Sequence, residues 1–146
     1  MERARKLHKR AISDKVRGSD DGQENSQFWT DHCTAKELHV EFSAAGIIQS
    51  LTVRWWRRQS IVDCFPGRHP GDYWKTSRGL KLHDSKIRVL ELYGAPDSIG
   101  PSTLDGREVE LLFYSFDWAG PDVPQVMEVT IERGRVVQIL LAAQSL

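Results

Sequence analysis

The sequence predicts an α+β fold in which helices pack on one face of an antiparallel sheet, as a degenerate tandem repeat of a helix and a β-meander. Three observations indicate this class. Two segments alternate apolar and polar residues with the period of a strand, and each continues through a turn into a second apolar strand. A third segment, between them, has the apolar period of a helix and ends at a glycine and a proline. The length of 146 residues suits one domain or two very small units.

The charge balance disfavours a general nucleic-acid binder. The 20 Lys and Arg residues equal the 20 Asp and Glu residues, so no net field attracts a polyanion. No apolar run approaches the roughly 20 residues that span a bilayer. The basic N-terminus is not followed by an apolar segment, so the sequence as given carries no signal peptide and is expected in the cytoplasm.

Residues 1–26 are predicted to form a frayed helix and a polar linker. Apolar residues fall near helical spacing between Leu7 and Val16, and Gly18 with the polar run after it ends the pattern. We therefore expect a helix over residues 2–17 if another part of the chain packs against it.

Residues 27–56 are predicted to form a first β unit. Leu38, Val40 and Phe42 alternate with polar residues, which is typical of a strand with one buried face. A Ser-Ala-Ala-Gly turn follows, and residues 47–55 return as a second strand, so the sequence predicts a β-hairpin.

Residues 57–75 are predicted to connect this unit to the next. They contain Pro66 and Pro70, together with Gly67 and Gly71. These residues interrupt both helices and strands, so we expect no regular element in the connector.

Residues 76–146 are predicted to form a unit of one helix and a β-meander. Asp84 is the expected N-cap of a helix over residues 85–93, while Gly94 and Pro96 end it. These three residues are thus structural rather than catalytic. The expected buried stripe of this helix consists of Ile87, Val89, Leu90 and Tyr93.

The meander is predicted to begin after a loop through residues 99–108. Strands are expected at 109–118, 126–132 and 135–142, with an Arg-Gly turn between the last two. One face of the first strand carries Val109, Leu111 and Phe113. The other face carries Leu112, Tyr114, Phe116 and Trp118.

The two hairpins align with each other, which predicts an internal repeat. Residues 127–141 match residues 38–53 when one gap is allowed. The aligned pairs are Gly46 with Gly134, Ile48 with Val136, Leu51 with Ile139, and Val53 with Leu141. The alignment indicates two units, each a helix followed by a three-stranded meander.

Residues 79–96 carry a spaced motif that resembles a bacterial family. The matching residues are Gly79, Leu80, Leu82, Ser85, Val89, Tyr93, Gly94 and Pro96. The motif resembles small α+β domains of the β-lactamase-inhibitor-protein type and outer-membrane-assembly lipoproteins of the SmpA/OmlA type. His83 departs from the motif, because it stands where the family has glycine. The resemblance covers residues 79–141 and extends poorly to the first half.

The resemblance implies an α+β fold whose helices cover one sheet face. Domains of this type are typically exported, lack enzymatic activity and bind other proteins through the free sheet face. For this chain it also implies a truncated or misassigned N-terminus, and a truncated one would place the protein in the periplasm or outside the cell.

Residue types for zinc binding are present, but their spacing disfavours a metal site. His32 and Cys33 are adjacent and point to opposite sides of an extended chain, and Cys64 lies five residues before His69. We therefore expect no metal and no cofactor. The two cysteines are buried thiols in a reducing cytosol, or a pair if the protein is exported.

Two further functions stay open as alternatives. A small Cys/His or metal-dependent enzyme would use Cys64 with His69 or His83. A nucleic-acid accessory protein would use the cations of residues 54–58, Arg-Trp-Trp-Arg-Arg, which interleave with aromatic rings.

The leading prediction is a protein-binding module without catalytic residues. If helices cover only one sheet face, the aromatic side chains of the other face contact a partner protein. The expected contact residues are Tyr114, Phe116, Trp118 and Trp56. The alternative is that a homodimer partner or the N-terminal segment buries them.

Overall fold

The computed structural model describes residues 14–16, 25–56, 64, 67, 69–116 and 125–143. The chain divides into two compact units, Met1–Trp74 and Lys75–Leu146. More than half of the described residues lie in antiparallel strands, and one α-helix is present among them. The coarse prediction of a fold rich in antiparallel sheet is thus confirmed.

The first unit contains a four-stranded antiparallel meander. Its strands are β1 (Asp14–Val16), β2 (Ser26–Asp31), β3 (Lys36–Phe42) and β4 (Ile48–Trp55). Each strand pairs with the next. β1 lies inside the segment predicted to be helical, so that prediction is wrong for these three residues: backbone pairing with β2 outweighs a weak helical preference. The rest of 2–17 lies outside the described residues.

The predicted β3–β4 hairpin is confirmed, and its alternation marks the buried face. Leu38, Val40 and Phe42 are all less than 9% exposed. They form one cluster with Trp29 of β2 and with Trp74, near the end of the connector. The apolar core of the first unit is therefore built on one face of the meander.

The connector contains one regular element, contrary to the sequence prediction. Pro70–Tyr73 form a single 3₁₀ turn. Proline is well suited to the first turn of a helix, because the missing N–H has no intrahelical partner there. The carboxylate of Asp72 accepts a hydrogen bond from the His69 N–H at 2.7 Å and fixes the start of the turn.

The second unit contains a helix followed by a four-stranded antiparallel meander. The helix is α1 (Lys86–Tyr93), and the strands are β5 (Ser98–Leu104), β6 (Arg107–Phe116), β7 (Gln125–Glu132) and β8 (Arg135–Ala143). The predicted β7–β8 hairpin is confirmed. The described α1 is eight residues long, and no helix among the described residues is long and apolar enough to cross a membrane.

Strand β5 occupies the segment that was predicted to be a loop. It pairs with β6 through a two-residue turn in which Asp105 and Gly106 have φ of 51° and 78°. Positive φ at both positions is typical of a type I′ hairpin turn, for which Asp-Gly is a strong signal. Gly100 and Pro101 weaken the strand pattern of β5 itself, and proline is tolerated in strands chiefly at an edge.

The start of α1 differs by one residue from the predicted start. Ser85 is the N-cap, since its hydroxyl accepts a hydrogen bond from the Arg88 N–H at 3.1 Å. Asp84 instead accepts from the Lys81 N–H at 3.0 Å and stabilises the preceding turn. The predicted end is confirmed, because Gly94 has a φ of 76° and donates to the Leu90 carbonyl.

The buried side of α1 is only partly the predicted stripe. Val89 is fully buried, whereas Ile87 is 68% exposed and Leu90 is 38% exposed. Lys86 reaches the carboxylate of Glu110 at 2.7 Å, one turn before Val89 on the same side of the helix. The contact with β6 therefore selects the Lys86–Val89 side, and the two aliphatic residues face outward.

Candidate functional site

Asp31, the last residue of β2, is a fully buried carboxylate held by backbone amides. One carboxylate oxygen accepts from the N–H of Cys33 at 3.0 Å and of Thr34 at 3.4 Å. The other accepts from the Gly71 N–H at 2.8 Å. Asp31 therefore ties the β2–β3 turn to the 3₁₀ turn of the connector.

The hydrogen bonds around Asp31 keep it ionised despite its burial. Burial alone raises the pKa of a carboxyl group, because it penalises the charged form. Here the hydrogen bonds from Gly71, Thr34 and Cys33 outweigh burial and hold the pKa of Asp31 below its usual value. The interior of the first unit thus contains a negative charge at neutral pH.

Cys33 and Cys64 form a disulfide bond. The sulfur atoms are 2.08 Å apart and the Cα atoms 5.8 Å apart, within the normal range for a disulfide. The sequence left pairing open as the alternative expected of an exported protein, and the paired form is the one present. The bond joins the β2–β3 turn to the connector.

His69 lies beside this disulfide and Asp31. The possible metal-ligating atoms of Asp31, Cys33 and His69 all lie within 4.8 Å of one another. We call Asp31, Cys33, Cys64 and His69 the disulfide cluster. The sequence identified Cys33, Cys64 and His69 as residue types for a metal or a nucleophile, and the structure brings these three together. His32, which is exposed, is not part of this group, and Asp31, which was not predicted from the sequence, belongs to it.

Gly71 permits the close approach of the connector to the cluster. A Cβ atom at this position would lie 2.8 Å from an Asp31 carboxylate oxygen, closer than ordinary van der Waals contact. The Gly71 carbonyl also accepts from the ammonium group of Lys36 at 3.4 Å, and Lys36 is only 8% exposed. A buried cation is thus placed next to the backbone that holds the buried carboxylate.

Tyr114, which the sequence predicted to contact a partner, is an interior residue. It is 2% exposed, and its hydroxyl donates to the Gly94 carbonyl at 2.8 Å. Its ring centroid lies 5.8 Å from that of Tyr93 on α1 and 6.0 Å from that of Phe116. Phe116 is half-buried in the same group of rings. The prediction of an accessible surface at Tyr114 is therefore wrong, because the helix covers this residue.

The structure describes only some of the other residues that were predicted to contact a partner protein or a nucleic acid. Trp56 is half-buried, and its backbone N–H donates to the Ala35 carbonyl at 2.9 Å. Arg54 is a half-buried residue of β4. Trp118, Arg57 and Arg58 lie outside the described residues, so the aromatic–arginine run of the nucleic-acid alternative is only partly placed.

The opposite face of β6 carries a different apolar group. Phe113 pairs across the sheet with Ser98 of β5 and Glu128 of β7, and Glu128 pairs with Leu140 of β8. We call Ser98, Phe113, Glu128 and Leu140 the Phe113 row. Phe113, Glu128 and Leu140 are each half-buried, and Ser98 is exposed. Successive residues of a strand point to opposite faces, so this row lies on the face away from Tyr114.

No protein-family model, curated protein or solved structure matches the chain.

His83, the residue that departs from the family motif, has the backbone conformation of a glycine. Its φ is 74°, and the two motif glycines Gly79 and Gly94 have φ of 92° and 76°. The His83 N–H donates to the Val136 carbonyl at 2.8 Å, which ties the loop before α1 to β8. The side chain is exposed. The backbone of His83 thus has a structural role, independent of its imidazole.

Proposed function

We propose that the protein binds another protein, without catalysing a reaction, through the sheet face of the second unit that carries the Phe113 row. The observation that carries this proposal is the composition of that face. An antiparallel sheet with one solvated face normally places polar residues there. Here two large apolar side chains, Phe113 and Leu140, flank a single acidic residue, Glu128.

The contacts of α1 support a two-layer arrangement in the second unit. Lys86 contacts Glu110, and Tyr93 contacts the rings of Tyr114 and Phe116. These three β6 residues are separated by even numbers of positions, so their side chains share one face of the strand. Phe113 lies on the other face. In this arrangement the helix covers the Tyr114 face, and the Phe113 row remains for a partner.

We also propose that the chain shares the fold of the β-lactamase-inhibitor-protein and SmpA/OmlA type. The support is the positive φ at all three positions where the family motif has glycine, Gly79, His83 and Gly94. Positive φ is the conformation for which glycine is favoured. If the fold is shared, binding through the sheet face is the function that the resemblance implies.

We further infer that the two units are repeats of one ancestral unit. The β3–β4 register shifts between Glu41 and Phe42, and the β7–β8 register shifts between Thr130 and Ile131. The sequence alignment of the two hairpins superposes these two bulges. Bulges are specific features of a sheet rather than random defects, so their coincidence supports a repeat.

Strands β2 and β6, which precede the two hairpins, also correspond to each other. Trp29 pairs with Leu38 in the first unit, and Tyr114 pairs with Met127 in the second. Both aromatic residues are almost fully buried, at 1% and 2% exposure. One position earlier on each strand stands a half-buried phenylalanine, so the face of the Phe113 row has a counterpart in the first unit.

A disulfide favours an oxidising compartment for this function. Disulfides persist outside the cytosol and are rare within it, where thiol reductants keep cysteines reduced. We therefore place the binding function in the periplasm or outside the cell, which agrees with the export that the family resemblance implies.

The test is a comparison of two double variants on opposite faces of the second unit. The partner is first captured by crosslinking from the source cells, identified by mass spectrometry and purified. The dissociation constant is then measured by calorimetry for the wild type, for Phe113→Ser with Leu140→Ser, and for the matched control Ile87→Ser with Leu90→Ser. We expect the dissociation constant of the first variant to be at least about 30-fold higher than that of the wild type. This change corresponds to ~2 kcal/mol of binding free energy, the typical loss when a central interface residue is truncated.

The control separates the sheet face from the exposed side of α1. We expect Ile87→Ser with Leu90→Ser to change the dissociation constant by less than about threefold. Loss of binding in the control alone would assign the interface to the helix and reject the sheet face. If the first variant does not fold by circular dichroism, Glu128→Arg tests the same row, and unchanged binding by that variant rejects the proposal.

A further inference from the structure

We propose that the disulfide cluster is a redox-gated zinc site. Reduction of the bond between Cys33 and Cys64 would release two thiolates, and these would bind one Zn²⁺ together with His69 and Asp31. The inference concerns the first unit and does not depend on the protein-binding surface of the second unit.

Three of the four proposed ligands, Asp31, Cys33 and His69, lie near the spacing of a tetrahedral site. The ligating atoms of Asp31, Cys33 and His69 lie within 4.8 Å of one another. Zinc at ~2.0–2.3 Å from its ligands places tetrahedral ligand atoms roughly 3.3–3.8 Å apart. The sulfur atom of Cys64 is already bonded to that of Cys33, at 2.08 Å. The Cys64 sulfur is not among the atoms that meet within 4.8 Å, so once the bond is broken it must move toward Asp31 and His69, while the other three ligands close by about an ångström.

Asp31 is held in the way that metal-ligating carboxylates are usually held. Three backbone N–H groups bind it, from Cys33, Thr34 and Gly71. Hydrogen bonds of this kind orient the ligands of a metal site and are themselves important for affinity.

The charge of the site can be balanced within the first unit. Two thiolates, one carboxylate and a neutral histidine around Zn²⁺ sum to a single negative charge. The buried ammonium group of Lys36 donates to the carbonyl of Gly71, whose N–H binds Asp31. A cation is thus placed where it offsets the remaining negative charge, which a buried site requires.

The chemical steps balance with a small-molecule thiol as reductant. Two thiol molecules lose two protons and two electrons in forming their own disulfide, and the bond between Cys33 and Cys64 becomes two thiols. Zinc then replaces one proton on each cysteine sulfur, since thiolate is the ligand form. In the oxidised protein neither sulfur is a thiolate, so the site is closed to zinc.

A purely structural disulfide would not require the two other members of the cluster. A disulfide needs only its two cysteines at the correct separation. A histidine and a buried aspartate beside Cys33 complete, with the two reduced cysteines, the four nitrogen, oxygen and sulfur donors that zinc prefers. Asp31 also ties the β2–β3 turn to the 3₁₀ turn, so the proposal gives it a second role as a zinc ligand.

The experiment measures zinc binding by the full chain in both redox states. Protein freed of metal with a chelator is kept oxidised or is reduced with a phosphine, and both forms are titrated with Zn²⁺ against a chromophoric competitor. We expect one zinc per reduced chain with a dissociation constant below about 1 µM, and no competitive binding by the oxidised chain. Co²⁺ should give the reduced chain the thiolate charge-transfer band and the intense visible bands of tetrahedral cobalt.

Two histidine variants test the ligand set. Loss of a residue that only hydrogen-bonds a zinc ligand usually weakens metal binding by ~10–100-fold. Because His69 is proposed as a ligand itself, His69→Ala should weaken zinc binding by more than this. His32→Ala is the matched control, because His32 is exposed and adjacent to Cys33 but outside the cluster, and its affinity should equal that of the wild type.

Three results would overturn the proposal. The first is equal zinc affinity of the oxidised and reduced chains. The second is unchanged affinity in His69→Ala. The third is a reduced chain that is unfolded by circular dichroism and that zinc does not refold, since binding would then report isolated thiols rather than a site.

Discussion

His83 adopts a backbone conformation that costs a histidine free energy. Its φ of 74° lies in the left-handed region, where the Cβ atom approaches the following carbonyl. The hydrogen bond from its N–H to Val136 holds the loop in place despite this strain. The loop before α1 thus requires a conformation that glycine adopts more easily than histidine.

We expect His83→Gly to stabilise the protein by about 0.5–1 kcal/mol. Glycine relieves a left-handed strain of ~1–2 kcal/mol but adds conformational freedom to the unfolded chain, which offsets about half of the gain. The free energy of unfolding in urea measures the effect. Lys81→Gly is the control, since Lys81 has no positive φ, and it should destabilise. A destabilised His83→Gly would show that the side chain of His83 is needed.

At the scale of elements, α1 is attached to β6 through Tyr114. The phenol donates to the carbonyl of Gly94, at the end of the helix. Burial, followed by the charge of Asp97, raises the pKa of Tyr114, so its hydroxyl stays protonated and remains a donor. This hydrogen bond satisfies a carbonyl that the end of a helix leaves without an intrahelical partner.

We expect Tyr114→Phe to destabilise the protein by about 0.5–1.5 kcal/mol, the net contribution of one hydrogen bond. The ring packing against Tyr93 remains, so the loss reports the hydroxyl alone. Tyr73→Phe is the matched control, because Tyr73 is 60% exposed, and its free energy of unfolding should equal that of the wild type. Equal stability of Tyr114→Phe and the wild type would contradict the role of this bond.

The strand period predicted the hairpins but not the face that α1 covers. Leu38, Val40 and Phe42 are buried as their alternation indicated. The same alternation in β6 places Tyr114 and Phe116 on one face of the strand and Phe113 on the other. It does not determine which of the two faces is buried. That choice depends on the contact of α1 with the sheet, which no local sequence pattern encodes.

The candidate site was less predictable than the strands. Cys33, Cys64 and His69 were recognised by residue type, and their sequence spacing argued against a site. The bonds of Asp31 to Cys33 and Thr34 are local and typical of an aspartate in a turn, whereas its bond to the distant Gly71, which brings it to the connector, has no signal in the local sequence. The spacing rule for zinc sites assumes that neighbouring residues supply the ligands, whereas here tertiary contact between a turn and the connector assembles them.

At the scale of the whole molecule, the disulfide is the covalent constraint on the first unit. It closes a loop between residues separated by 31 positions. In the chain-entropy description, a cross-link of this length stabilises the folded state by about 3–4 kcal/mol, because it removes conformations from the unfolded chain. That amount is a large share of the 5–15 kcal/mol by which a typical domain is stable.

We therefore expect Cys33→Ser with Cys64→Ser to lose about 3–4 kcal/mol of stability, measured by guanidinium unfolding with a chelator present. Reduced wild type should lose a similar amount under the same conditions. If the reduced cluster binds zinc, the metal at 100 times its dissociation constant restores about 2.7 kcal/mol to the reduced wild type and nothing to the serine variant. Equal responses of the two proteins to zinc would mean that the disulfide acts only as a cross-link.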